Sequence, residues 1–240
     1  MSQTIDTLLN RLHLGDNREL FARLPDDSVD LVLTDPPYKN YVSNRPTAHK
    51  KLKSIQHGQF DVEFFARESF RVLKTGCHLY CFCDHQTFPT IRTALEAAGF
   101  RYRNCLVWVK NNHGSGDLRG NWAPQHEFII FASKGRTRPL NGKRQSNVLG
   151  RRPGKGLIEP FHKVSNYRFN HGTTKPVELL QVLIQASSLP DEIVLDPYGG
   201  SGSTAVACIL ERRRFILSEI DPEYYRIARV RISPESFIKP

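Results

Sequence analysis

The most constraining feature of this sequence is a glycine-rich turn that arrives late, Asp196-Pro-Tyr-Gly-Gly-Ser-Gly-Ser-Thr204, set between an apolar run at 193–195 and a helical pattern from Ser203 to Leu210. Glycines let backbone approach a ligand closely, and the helix that follows offers N–H groups with no partner inside it. Strand, glycine turn and helix in that order belong to an open, mostly parallel sheet covered by helices on both faces. Such a sheet needs several more strands. Only 21 residues follow Glu219, the acid closing the next strand, so those strands must come from the amino-terminal part. The expected fold is α/β, a doubly wound, mostly parallel sheet whose chain order is permuted.

The amino-terminal part has the required alternation. Asp30 to Leu33 reads as a buried strand; Val62, Phe65, Ala66, Val72 and Leu73 fall at helical spacing, with Asp61 placed to cap and Gly76 to stop. Strands follow at 77–82, 105–109 and 127–131, with a helix from Pro89 to Ala98 closed by Gly99. After a long interval come a helix from Pro176 to Ser187, the strand at 193–195, the helix from Ser203, a strand at 214–217 and a helix from Pro222 to Ile232. The whole chain, 1–240, reads as a single domain, since 240 residues leave little room for two. Residues 112–170 are too long for an ordinary connection and form the candidate insertion for recognising a target.

Composition narrows the setting. With 39% hydrophobic residues and no apolar run near the length of a membrane span, the chain is expected to be soluble and, lacking a secretory pattern in residues 1–25, cytoplasmic. Five scattered cysteines are expected to be reduced thiols, and Cys81-x-Cys83 lacks the spacing of a zinc site, so no metal is expected.

The net charge of +10 is concentrated. Residues 134–175 hold eleven Lys/Arg against one acid, Glu159, and residues 39–60 hold five against none. Basic segments interleaved with Tyr41, His49, Phe161, Tyr167 and Phe169 suit a polyanion whose bases stack on rings; solvated loops would explain the charge equally well. Candidate nucleic-acid contacts are Lys39, Arg45, Lys50, Lys51, Lys53, Arg136, Arg138, Lys143, Arg144, Arg151 and Arg152.

Two loops carry candidate chemistry. In the glycine turn, Gly200-x-Gly202-x-x-Ala205 also satisfies a dinucleotide fingerprint, with Glu219 placed to hold ribose hydroxyls, so a nicotinamide cofactor is one reading. Asp196 argues against it, because an acid at the strand's mouth repels a pyrophosphate but pairs with the amino group of an adenosyl amino acid. The second loop, Asp35-Pro36-Pro37-Tyr38, follows the strand at 30–33. The exocyclic amine of a nucleobase is a poor nucleophile until acceptors hold its N–H groups; a carboxylate and a backbone carbonyl supply them, prolines stiffen the turn, and a tyrosine ring stacks on a base swung out of the duplex.

Both loops resemble the motifs of the amino-methyltransferases of DNA, and their order resembles the permuted, β-class members. The resemblance covers nearly the whole chain, including Leu14-Gly-Asp-Asn17 and Thr174-Lys175-Pro176. It implies a Rossmann-like methyltransferase fold, S-adenosylmethionine as cofactor, duplex DNA as partner, and methylation of adenine N6. Asp35, Pro36, Pro37 and Tyr38 would be catalytic. Asp16, Asp35, Thr174, Lys175, Asp196, Tyr198, Gly200, Ser201, Gly202 and Glu219 would bind cofactor. The resemblance admits a homodimer and names neither a recognised sequence nor a partner restriction endonuclease. Cytosine N4 methylation, an RNA substrate, an NAD-dependent oxidoreductase and a non-enzymatic nucleic-acid-binding module are the alternatives.

Overall fold

The computed structural model describes residues 5–37, 60–113, 119–150, 159–162, 164 and 174–233. After a short 3-10 turn at Ile5–Leu8 come β1 (Arg11–Leu14), α1 (Asn17–Arg23), β2 (Val29–Thr34), α2 (Val62–Val72), β3 (Leu73–Cys83), α3 (Phe88–Ala97), β4 (Phe100–Val109), β5 (His126–Lys134) and β6 (Val148–Leu149). Then α4 (Val177–Ser187), β7 (Ile193–Asp196), α5 (Ser203–Leu210), β8 (Arg214–Glu219) and α6 (Pro222–Arg231) complete the described elements.

The strands form one sheet in the order β1-β8-β7-β2-β3-β5-β4-β6. Five of the seven pairings are parallel; β5 runs antiparallel to both β3 and β4. The first strand lies beside the last, with Arg11 to Leu14 in register with Ile216 to Glu219. The chain order is therefore permuted, as the position of the glycine turn required.

Side-chain alternation explains how both faces are covered. Along β2 and β3, Val32, Leu79 and Cys81 point to one layer with Phe21, Phe65 and Leu95 of α1–α3, whereas Leu31, Leu33, Tyr80 and Phe82 point to the other with Leu183, Ala205 and Ala228 of α4–α6. Every residue of β2 is buried, which is why it reads as a continuous apolar run rather than an alternating one. Among the described residues no helix is long and apolar enough to cross a membrane.

Two local expectations are corrected. Gly76 does not stop α2: Asp61 caps the start by accepting from Phe64 N, but the helix closes at Leu73, whose N–H bonds Ser69 O, and the chain enters β3 directly. Gly76 instead lies within β3 at φ +85°, in the stretch where the register against β2 is irregular. The edge strand β1 carries no run long enough to be read as a strand. Gly99, by contrast, ends α3 as expected, at φ +104°.

Candidate active site

Parallel neighbours β2 and β7, in register at Leu31 with Val194 and Val32 with Leu195, end at the same edge of the sheet. Their loops therefore meet. Thr34 Oγ1 donates to Asp196 Oδ1 at 2.7 Å, joining the strand that precedes Asp35 to the start of the glycine turn. Asp196 also accepts from Tyr198 N at 3.1 Å and, through Oδ2, from Thr204 Oγ1 at 2.6 Å. It is 3% exposed, and burial pushes its pKa up to about 6 against these hydrogen bonds. Both oxygens thus accept hydrogen bonds within the protein, which braces the turn against β2 and α5.

The turn itself is tightly held. Gly202 adopts φ +79°, and a Cβ there would lie 2.9 Å from Ala228 Cβ, so its bare backbone is what lets α6 pack close. A Cβ at Gly199 would lie 3.1 Å from Ser218 O. Gly200 N donates to Glu219 Oε2 and Asp221 N to Glu219 Oε1, each at 2.8 Å. Arg231, on α6, holds Ser201 O at 2.6 Å and Ser201 Oγ at 2.8 Å. Asp16, the cap of α1, comes alongside Glu219 because Gly15 N bonds Glu219 O at 3.0 Å. The ring of Tyr198 packs edge-on against Phe60 and Phe65.

A second cluster gathers around Lys175. Its ammonium meets Asp35 Oδ2 at 2.5 Å and Glu127 Oε2 at 3.2 Å, and Glu127 Oε1 meets Lys110 Nζ at 2.6 Å. Burial alone would lower the Lys175 pKa; the carboxylates of Asp35 and Glu127 outweigh it and hold it up to about 12. Burial likewise opposes ionisation of Glu127, but Lys175 and Lys110 together bring its pKa below the usual carboxylate range. Next to Lys175, Thr174 Oγ1 lies 3.1 Å from Ser201 Oγ, which ties this segment to the glycine turn.

The structure thus brings together Asp16, Asp35, Thr174, Lys175, Asp196, Tyr198, Gly200, Ser201, Gly202 and Glu219, with Pro36 buried and Pro37 half-buried beside Asp35. Tyr38, Lys39, Arg45, Lys50, Lys51, Lys53, Arg151 and Arg152 lie outside the described residues. Arg136, Lys143 and Arg144 are exposed. Arg138 is committed elsewhere: its guanidinium grips Glu192 at 2.8 Å through both Nη1 and Nη2 and donates to Ser187 O, while its own N–H bonds Gly76 O near the start of β3. Phe161, expected to stack on bases, is 5% exposed and its carbonyl accepts from Trp108 Nε1. Sequence reasoning missed Thr34, Lys110, Glu127 and Arg231; only Glu127, an acid opening an otherwise apolar strand, left a local signal.

The family model N6_N4_Mtase, DNA methylase, matches residues 29–230. The chain belongs to this family. YubD of Escherichia coli (strain K12) is 32% identical over 225 residues, which span 94% of this chain and 91% of that protein. The type II methyltransferase M2.MboI of Moraxella bovis is 26% identical, over 92% of this chain and 86% of that one. Among solved structures, TTHA0409 of Thermus thermophilus complexed with S-adenosyl-L-methionine superposes with a TM-score of 0.65 at 22% identity, covering 94% of this chain and 93% of that one. The cytosine-N4-specific PvuII DNA methyltransferase does so with a TM-score of 0.70 at 18% identity, covering 92% and 86%. The fold expected from the sequence, the Rossmann-like methyltransferase sheet, is the fold found.

Membership makes this chain a DNA amino-methyltransferase of an S-adenosylmethionine-dependent family, and it replaces the nicotinamide reading of the glycine turn. The geometry suits such chemistry. A carboxylate paired with Lys175, Asp35, stands at the same sheet edge as a glycine turn flanked by two acids, Asp16 and Glu219, able to accept from ribose hydroxyls and an adenine amine.

Proposed function

We propose that this DNA methylase transfers a methyl group from S-adenosylmethionine to the N6 amine of adenine in duplex DNA. The observation that carries the reading is the meeting of the Asp35 loop and the glycine turn at the ends of β2 and β7, joined through Thr34 and Asp196. The close-packed turn fits the cofactor in one specific respect: at Gly199 and Gly202 a Cβ would meet Ser218 O and Ala228 Cβ, so the backbone stays bare and well fixed. When bound, S-adenosylmethionine supplies a methyl group activated by its sulfonium. Glu219 and Asp16 would hold the adenosine end, and the turn at Tyr198 to Gly202, with Thr174, the methionine end.

Asp35 and the Pro36 carbonyl accept the two N–H groups of the target amine, so its lone pair is turned toward the incoming methyl. Lys175 holds the Asp35 carboxylate in place through its Oδ2. As the nitrogen bonds to the methyl carbon, the carbon–sulfur bond would break with its electron pair left on sulfur, giving S-adenosylhomocysteine, and the nitrogen would release one proton, for which Asp35 is the base in contact with it. Catalysis is mainly positioning and electrostatics. Tyr38 would stack on the flipped base.

Residues 112–170 serve as the recognition insertion within one domain. Trp122, 95% exposed in the β4–β5 connection, supports this reading, as do the exposed Lys143 and Arg144. The protein would act in the cytoplasm. The Asp form of the catalytic loop favours adenine; the superposition on a cytosine-N4-specific enzyme keeps cytosine as the second reading.

The test is incubation with methyl-labelled S-adenosylmethionine and unmethylated duplex DNA, followed by digestion to nucleosides. Label in 6-methyladenine is the expected result. Label in 4-methylcytosine would select the second reading, and label only when RNA replaces DNA would overturn both.

A further inference from the structure

Four charged side chains alternate in sign from the antiparallel part of the sheet to the catalytic loop: Lys110, Glu127, Lys175 and Asp35, separated by 2.6, 3.2 and 2.5 Å. Neutralising Lys175 needs only one carboxylate, and Asp35 provides it. Glu127 is therefore in excess for that purpose, and it is held in a largely buried place at a cost that Lys110 helps to offset. An acid retained under those conditions does something for the group it shares. Lys175 stands between two carboxylates, so its pull on Asp35 is divided.

We infer that Glu127 is a positioning residue for methyl transfer: by sharing the charge of Lys175, which stays in contact with Asp35, it leaves Asp35 able to accept a hydrogen bond from the target amine, and Lys110 sets how much of that charge Glu127 takes. With Glu127 neutral, the whole charge of Lys175 acts on Asp35 and competes more strongly with the amine for its lone pairs. With Lys110 neutral, Glu127 turns wholly to Lys175 and the balance shifts, though less. This inference rests on the proposed role of Asp35.

The experiment compares full-length wild type, Glu127→Gln, Lys110→Met and the double variant. It measures single-turnover methylation of duplex DNA at saturating S-adenosylmethionine, normalised to sites that bind the cofactor by titration. Glu127→Gln keeps the size and shape of the side chain and removes its charge. Its expected effect is a fall of at least tenfold in the single-turnover rate, with cofactor affinity within twofold of wild type. Lys110→Met is expected to raise the rate about threefold alone, since Glu127 then takes more of the Lys175 charge, and to leave it unchanged once Glu127 is neutral, because it acts only through that residue.

A second signature is the pH profile: losing Glu127 removes a carboxylate that holds the Lys175 charge, so Lys175 sheds its charge and its competition for Asp35 sooner, and the deficit of Glu127→Gln against wild type narrows along the alkaline limb. A merely structural loss would lower the active fraction without that narrowing. Wild-type rate and profile in Glu127→Gln would overturn the inference, and so would a Lys110→Met effect that persists in the double variant. If Glu127→Gln does not fold, Lys110→Met decides alone, and an unchanged rate there refutes the inference. Wild-type enzyme that methylates DNA while Asp35→Ala does so equally would remove the underlying reading instead.

Discussion

The two halves of the sheet are built differently. On one side β1, β8, β7 and β2 are parallel and short, four to six residues each; on the other β3, β5 and β4 run to eleven, nine and ten and pair antiparallel. Parallel strands end at one edge, so Asp16, Asp35, Asp196 and Glu219, scattered through the sequence, converge there. The antiparallel half is mainly aromatic packing, with Tyr80 stacked on Phe131 at 4.9 Å and Trp108 buried. It reaches the same edge through the start of β5, which runs the opposite way, and that is where Glu127 stands. The residues of the proposed chemistry lie on the short half, and the long half packs beside them.

Asp35→Ala should separate the halves most sharply. If the short half carries the reaction, methylation falls by on the order of a thousandfold while folding and cofactor affinity persist. The check is single-turnover labelling beside a thermal melt. Activity within tenfold of wild type would break the comparison, since the acid at the end of β2 would then be only structural.

The halves also differ in how their buried titratable groups respond to acid. His78, on β3, is buried between Ser187 and Thr137, and burial lowers its pKa from 6.5 to about 4. The unfolded chain binds the proton more tightly, so this contribution is fully present above pH 6.5 and is lost as pH falls toward 4. Asp196, on the short half, has the opposite sign: its pKa rises from 3.8 to about 6, so its contribution is present below pH 3.8 and lost as pH rises through 6. Each shift corresponds to roughly 3 kcal/mol. Denaturation curves between pH 4 and 6.5 should therefore show His78→Asn losing less stability on acidification than wild type. Asp196→Asn should lose more. Parallel curves for all three proteins would show that neither group titrates as its surroundings demand.

How much of this was legible depended on whether the information was local. The glycine turn, the Asp35 loop and the fully buried strands β2 and β7 show in short stretches, because spacing and an apolar run suffice to specify them. β1 did not, since a four-residue edge strand with Arg11 and Leu14 exposed has no run to recognise. Charge alone does not announce a long-range pairing. Arg138 belongs to a basic segment, yet its partner Glu192 arrives from the turn before β7, and nothing near Arg138 in the sequence announces it. The Glu127–Lys175 contact is of the same kind, made only when β5 and the segment before α4 are brought side by side.

The smallest effect sharpens the comparison with two glycines of similar backbone and different surroundings. Gly202 has φ +79° and Gly142, in the connection to β6, has φ +73°. Substituting alanine strains both, because L side chains disfavour this region, at a cost of about 1 kcal/mol. At Gly142 nothing lies within 4 Å of the added Cβ, so the backbone term is the whole cost. At Gly202 the new methyl lies 2.9 Å from Ala228 Cβ on a packed helix, so α6 must move or the turn must open, adding roughly 1–3 kcal/mol. Opening the turn also disturbs Ser201 and its bonds to Arg231, so Gly202→Ala should weaken cofactor binding while Gly142→Ala leaves it unchanged. Paired melts and cofactor titrations measure both. Equal losses of stability with equal cofactor affinity would mean that the tight packing of the turn is incidental to binding, and that only its backbone conformation matters.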